Sequence, residues 1–185
     1  MSADDIAALT LADAAEKIAG REISSLEATE AALDRIDRYG EKLHAIVHCD
    51  EEAAFAGARK ADEELALGNV RGPLHGVPLA HKDMYYRAGW TAACGSNILA
   101  DFVPDVTSTA IQKLDAAGAL DIARLNMVEF AFGPTGHNEV VGTPRNPWNT
   151  DYITGGSSSG SGASVAGRLV YRGLDRLPAL IPGLL

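Results

Sequence analysis

The chain has 185 residues, 46% hydrophobic and 22% charged, with a net charge of −9, the composition of one globular domain with enough apolar residues for a core. The acidic balance argues against non-specific nucleic-acid binding, which needs basic surface to neutralise phosphates, and no apolar run approaches the roughly 18 residues of a membrane helix. Cys49 and Cys94 have no C-x-x-C spacing, so they read as reduced thiols rather than a disulfide or zinc site.

The opening MSADDIAALT has neither the basic nor the apolar region of a secretory signal, so a cytoplasmic protein is expected. Thr10 is placed to cap a helix over LADAAEKIA, with Gly20 as its stop. In SSLEATEAALDRIDRYG, Ser24 and Glu27 have capping-box spacing. Leu26, Ala28, Ala32, Leu33, Ile36 and Tyr39 give that segment an apolar face of largely helical period. Asp50 opens a third helix, EEAAFAGARKADEELALG, which ends near Gly68. These three acidic, alanine-rich helices show no chemistry and read as scaffold. From Gly72 the texture changes. Residues 77–80 read as a buried strand, Thr107 or Ser108 as the cap of a helix over TAIQKLDAAG, and ALDIARLN as a second strand. That order predicts a right-handed βαβ unit and an α/β fold, with 77–80 and 120–124 neighbouring and the helix packed on one face. Residues 133–156 form an irregular stretch long enough to be functional. Residues 155–162 are all glycine or serine, and SGASVAGRLV can continue them as a helix of small residues. The tail, 168–185, holds three of the 16 basic residues and one of the 25 acidic ones, and its LPALIPGLL fits neither a helical nor a strand period.

The Gly/Ser stretch admits three readings. Composition alone suits a flexible linker. Backbone N–H groups ahead of a helix suit an anion cradle, although no G-x-x-x-x-G-K-[ST] is present. Gly156-Ser157-Ser158-Ser159-Gly160 matches G-x-S-x-G, but a Pro/Asn-rich loop stands where a nucleophile elbow needs a strand. His75 and His81 have no standard metal spacing and read as structural. Cys94 has no nameable basic partner and reads as a small core residue. Lys82 ends the apolar strand; burial there would favour its neutral amine, a general base, whereas beyond the strand end it would be an ordinary surface lysine.

Together these pieces resemble the amidase signature family. GVPLAHKD is similar to the family's G-x-P-x-x-x-K-D segment, so Lys82 takes the role of its catalytic lysine. GGSSSGS is similar to G-G-S-S-G-G-S, so Ser157 takes the role of the bridging serine, with Gly155, Gly156 and Ser158 supporting the loop and Ser159 where glycine is more usual. The helical N-terminus, RLNMVEFAFGPTGHN and TPRNPWN also look like the family. The resemblance implies a mixed β-sheet flanked by helices, and a Ser–Ser–Lys triad that hydrolyses a small-molecule amide without metal or other cofactor. It also implies a cis peptide at the bridging serine and a rigid catalytic loop. It leaves a homodimer as the macromolecular assembly to consider, with no membrane and no direct nucleic-acid partner. Part of a tRNA-dependent amidotransferase is the second reading, below a free-standing amidase because of GPTGHNE, and a non-catalytic binding fragment the third.

The departure is at the nucleophile. In the family it follows in a segment like D-T-G-G-S-I-R, and this chain has no serine after Ser164. The expectation is therefore a truncated fold: an amidase-signature portion over 1–167, a non-family tail over 168–185, and no amide turnover. Codons CTG ATA CCG GGN for Leu180-Ile181-Pro182-Gly183 contain, from the third base, GAT ACC GGG, or Asp-Thr-Gly, so a frameshift is the expected origin of the tail.

Overall fold

The computed structural model describes residues 1–174. The leading helices begin where their caps place them. After a short α1 (Ala3–Ala7), α2 spans Leu11–Ala19, with Thr10 Oγ1 accepting from Asp13 N–H and Gly20 at the C-cap. Helix α3 spans Ser25–Leu43: Ser24 Oγ accepts from Glu27 N–H, and Glu27 Oε2 accepts from Ser24 N–H at 2.7 Å. Helix α4 spans Glu51–Ala66 behind an Asp50 cap. Asp62 on α4 accepts the N–H groups of Ser25 and Leu26, so one helix completes the N-terminus of the other. Ser25 Oγ donates to Gly76 O at the entry to the sheet. Gly76 has φ +75°, and a Cβ there would lie 2.8 Å from Ser25 Cβ, so this close approach requires glycine.

The sheet has four strands in the order β1-β3-β2-β4. Strands β1 (Ile46–Cys49) and β3 (Leu120–Leu125) are antiparallel; β2 (Pro78–Lys82) is parallel both to β3 and to β4 (Gly173–Leu174). The predicted strands are thus neighbours, joined through α5 (Thr109–Ala116), with Ser108 at the N-cap position. Ile111 and Leu114 of α5 line a small cavity with Leu79 and Leu120 of the sheet. Ala32 and Leu33 of α3 and Ala54 and Ala58 of α4 pack in one cluster with Ala80, Ile122 and Leu125. The mixed sheet between helices agrees with the expected α/β architecture.

Three features depart from the sequence reading. Strand β1 was not foreseen. Helix α6 spans Ser159–Ala166, so it begins two residues before the expected SGASVAGRLV and stops at Gly167 instead of running on through RLV. And the segment following Gly167 packs: Leu169 and Val170 are buried, Tyr171 Oη donates to Ile6 O, and Gly173 enters β4. Residues 175–185, including the Leu180–Gly183 stretch read as out of frame, lie outside the described residues.

Candidate active site

Strand β2 delivers Lys82 to its C-terminal end, and the chain leaves at Asp83, whose N–H donates to Leu125 O on β3. Although lysine is rarely fully buried, Lys82 is 1% exposed. Its Nζ donates to Ser157 Oγ at 2.8 Å and to Ser158 Oγ at 2.8 Å. Of the two fates open to a lysine at this strand end, the structure takes the buried one. Both serines are half-buried, and the Gly156–Ser157 peptide is cis, as the resemblance implied.

The loop is held by backbone. Val128 N–H donates to Ser157 O, and Gly160 N–H donates to Asn126 O, both at 3.0 Å. Asn126 is the hub of this attachment. Its Nδ2 donates to His44 O and Gly142 O, its Oδ1 accepts from Met127 N–H, and its own N–H donates to Ala45 O. Asn138 does similar work next door, donating to Gly95 O and Met127 O and accepting from Val140 and Val141. Gly155 has φ +77° and Gly156 lies close to Gly133 O and Gly136 N. The Gly/Ser stretch is therefore a packed turn into α6, neither a linker nor an elbow after a strand.

Behind Lys82 lies a buried ion pair. Arg124 Nη1 lies 3.4 Å from Asp83 Oδ1 and donates to Thr91 O, while Gly95 N–H donates to Asp83 Oδ2. Burial pushes the Asp83 carboxyl above its ordinary range, against the pull of the Gly95 N–H and Arg124; burial likewise lowers Arg124. Desolvation outweighs mutual attraction at this separation. Neither Asp83 nor the two asparagines was singled out in the sequence. For Asp83 and Asn126 the signal was present in KDM and RLNM, where a polar residue follows a buried strand directly and must find partners; Asn138, in a loop, offered none.

The remaining candidates take structural places. His75 Nδ1 accepts from Arg71 N–H, so its Nε2–H donates to Ala61 O. His81 Nδ1 pairs with Asp121, which also holds Arg87. Cys94 is half-buried rather than core; burial, then Asp83, pushes its thiol up while Lys82 opposes. Burial pushes Cys49 up to about 11. Both cysteines are free, and their thiols stay protonated near neutrality.

The amidase family profile matches residues 27–174. Curated relatives include the glutamyl-tRNA(Gln) amidotransferase A subunit of Chromobacterium violaceum, 42% identical over 160 residues, 86% of this chain and 33% of that one. The protein of the same name from an Azoarcus species is 45% identical over 150 residues, 81% of this chain and 31% of its own. Among solved structures, an amidase matches with TM-score 0.84 and 35% identity over 90% of this chain and 38% of that one. The peptide amidase of Stenotrophomonas maltophilia matches with TM-score 0.80 and 34% identity over 88% and 35%. The chain spans about a third of the length of the curated relatives it matches. The names of those relatives overturn the expectation that nucleic acid plays no direct part, because they are named for a tRNA. Net negative charge excludes only the non-specific neutralisation of phosphates; it does not bear on chemistry carried out on a group that a tRNA bears. Among the described residues no helix is long and apolar enough to cross a membrane.

Proposed function

Because the chain belongs to the amidase signature family, we propose that it supplies the base and the proton relay of a site that cleaves amide C–N bonds. Lys82, as the neutral amine, takes the proton of Ser157, and Ser157 takes one from an attacking serine. The attacking oxygen bonds to the amide carbonyl carbon, and the C–N bond breaks as the proton passes to the leaving nitrogen. The observation that carries this reading is the 2.8 Å contact between a fully buried lysine and Ser157. Within these 185 residues no serine follows Ser164, and we expect no turnover of simple amides from them alone; Lys82-dependent ammonia release would overturn that expectation. The assignment itself is tested by grafting residues 1–167 onto the remainder of a full-length relative. The chimera should hydrolyse amides, and Lys82→Ala or Ser157→Ala in it should cost about 10²-fold or more. A chimera indifferent to Lys82 would sink the reading.

A second reading is favoured by the names of the curated relatives, 42% and 45% identical to this chain. On it the chain is part of an amidotransferase component that works on glutamyl-tRNA within a larger assembly. A chimera that releases ammonia only when tRNA and the other components are added would select it. The two free cysteines suit a reducing, cytoplasmic setting in either case.

A further inference from the structure

Lys82 Nζ is as close to Ser158 as to Ser157, 2.8 Å from each hydroxyl oxygen. A neutral amine has one lone pair and two N–H bonds. Held between two hydroxyls, it can accept the proton of one while donating to the other, and equal distances leave both serines able to be the giver. The amide reading uses only Ser157. Ser158 stands at the N-cap position of α6 yet makes no side-chain cap bond to that helix; its hydroxyl is turned to Lys82. Charge that develops there meets the positive end of the eight-residue helix. Its backbone is fixed on both sides, by the bond from Val128 N–H to Ser157 O and that from Gly160 N–H to Asn126 O, and it is only half-buried.

We propose that Ser158 is itself a nucleophile, activated by Lys82, that accepts an acyl group from an activated ester. Ser158 Oγ bonds to the ester carbonyl carbon and its proton passes to the Lys82 amine. The bond from that carbon to the aryloxide breaks, and Lys82 returns the proton to the aryloxide, leaving acyl-Ser158 and a free phenol. Ser157 accepts an N–H of Lys82 during the step and holds the amine in place. This activity needs no second attacking serine. It rests on the reading of Lys82 as a base, and is otherwise separate from the relay through Ser157.

The test is to mix the 185-residue chain with 4-nitrophenyl acetate, follow nitrophenol release, and map the acetylated residues by peptide mass spectrometry. The expected result is a burst with acetyl on Ser158, lost in unfolding urea and slowed about 10²-fold or more in Lys82→Met. Ser158→Ala should lose the burst while keeping the far-ultraviolet circular dichroism of the parent. Mapping on the unsubstituted chain does not depend on any variant folding. Acetyl on Ser157 instead would overturn the proposal and leave the relay standing. Acetyl on surface amines alone, or none, would also overturn it. Serine acetylation indifferent to Lys82 would count against both the proposal and Lys82 as the base of the amide reaction.

Discussion

Gly160 has no room for a Cβ: one built there would lie 2.5 Å from Asn126 N and 2.6 Å from Ala45 O, both backbone atoms that cannot swing aside. Gly160→Ala should therefore cost about 3 kcal/mol, as overpacking against rigid neighbours does, and should loosen the turn that carries Ser157 and Ser158. Gly68→Ala is the control, because at φ +79° with open space around it only the left-handed backbone is penalised, by about 1–2 kcal/mol. Urea denaturation of both variants checks this, and equal losses would show that the contact with Asn126 is not the cause. Asp83 makes a prediction about pH. Burial raises its folded value above the ordinary 3.8, so the folded chain keeps that proton to a higher pH than the unfolded chain does. Its contribution to stability is then fully present below pH 3.8 and is lost as pH rises through the raised value. Asp83→Asn removes this titration. The stability of the parent minus that of the variant should fall from acid toward neutral pH in a urea-denaturation series, and a rising difference would show that Arg124 governs the pair instead.

Elements with local chemistry at their ends were the legible ones. Helices α2, α3 and α4 carry Thr10, Ser24 with Glu27, and Asp50 at their N-caps, and each cap makes the bond its spacing predicts. Ser24→Ala removes the acceptor for Glu27 N–H and should cost about 1 kcal/mol; a shift in the urea midpoint at unchanged slope would measure it, and no shift would mean that Asp62 alone holds this helix end. Strand β1 was illegible because IVHC is four residues long and owes its existence to β3, a partner more than seventy positions away. Helix α6 was hidden by composition. Glycine and serine resist helix formation in isolation, but only residues this small let the helix approach the backbone of Asn126 and Ala45. The two ends of the site differ in the same way. Lys82 could be placed from its position after an apolar strand, whereas its meeting with Ser157, 75 positions on, came from the family resemblance and not from any local pattern, and its contact with Ser158, one position further, came from neither. Asn126 sits in a family-like segment but showed no role there, because its partners, His44 and Gly142, lie on separate loops.

At the scale of the molecule the question is where the folded unit stops. Charge and lack of period suggested a boundary at Gly167, with a tail that does not pack. The described part of that segment behaves otherwise. Leu169 is 0% exposed in a cluster with Leu43, Ala45 and Ala163, and Val170 joins Ala32, Ile122 and Leu125 beneath the sheet. Arg35 donates to Gly167 O, and Tyr171 reaches Ile6 O, which ties this stretch to the first helices of the chain. The amidase profile also runs on to residue 174. Three apolar or amphipathic side chains at 169–171 thus do what a core segment does, whatever the origin of the residues that follow. Leu169→Ala should leave a cavity between α3 and α6 and cost about 3 kcal/mol, the usual range for a fully buried leucine. Because Leu43 and Ala45 lead into β1, beside the backbone that holds Asn126, the same change should slow acetylation of Ser158 more than the loss of folded population alone explains. Urea denaturation gives the first quantity and peptide mapping the second. A loss within about 0.5 kcal/mol, the range of an ordinary surface substitution, would mean that the fold ends at Gly167 after all.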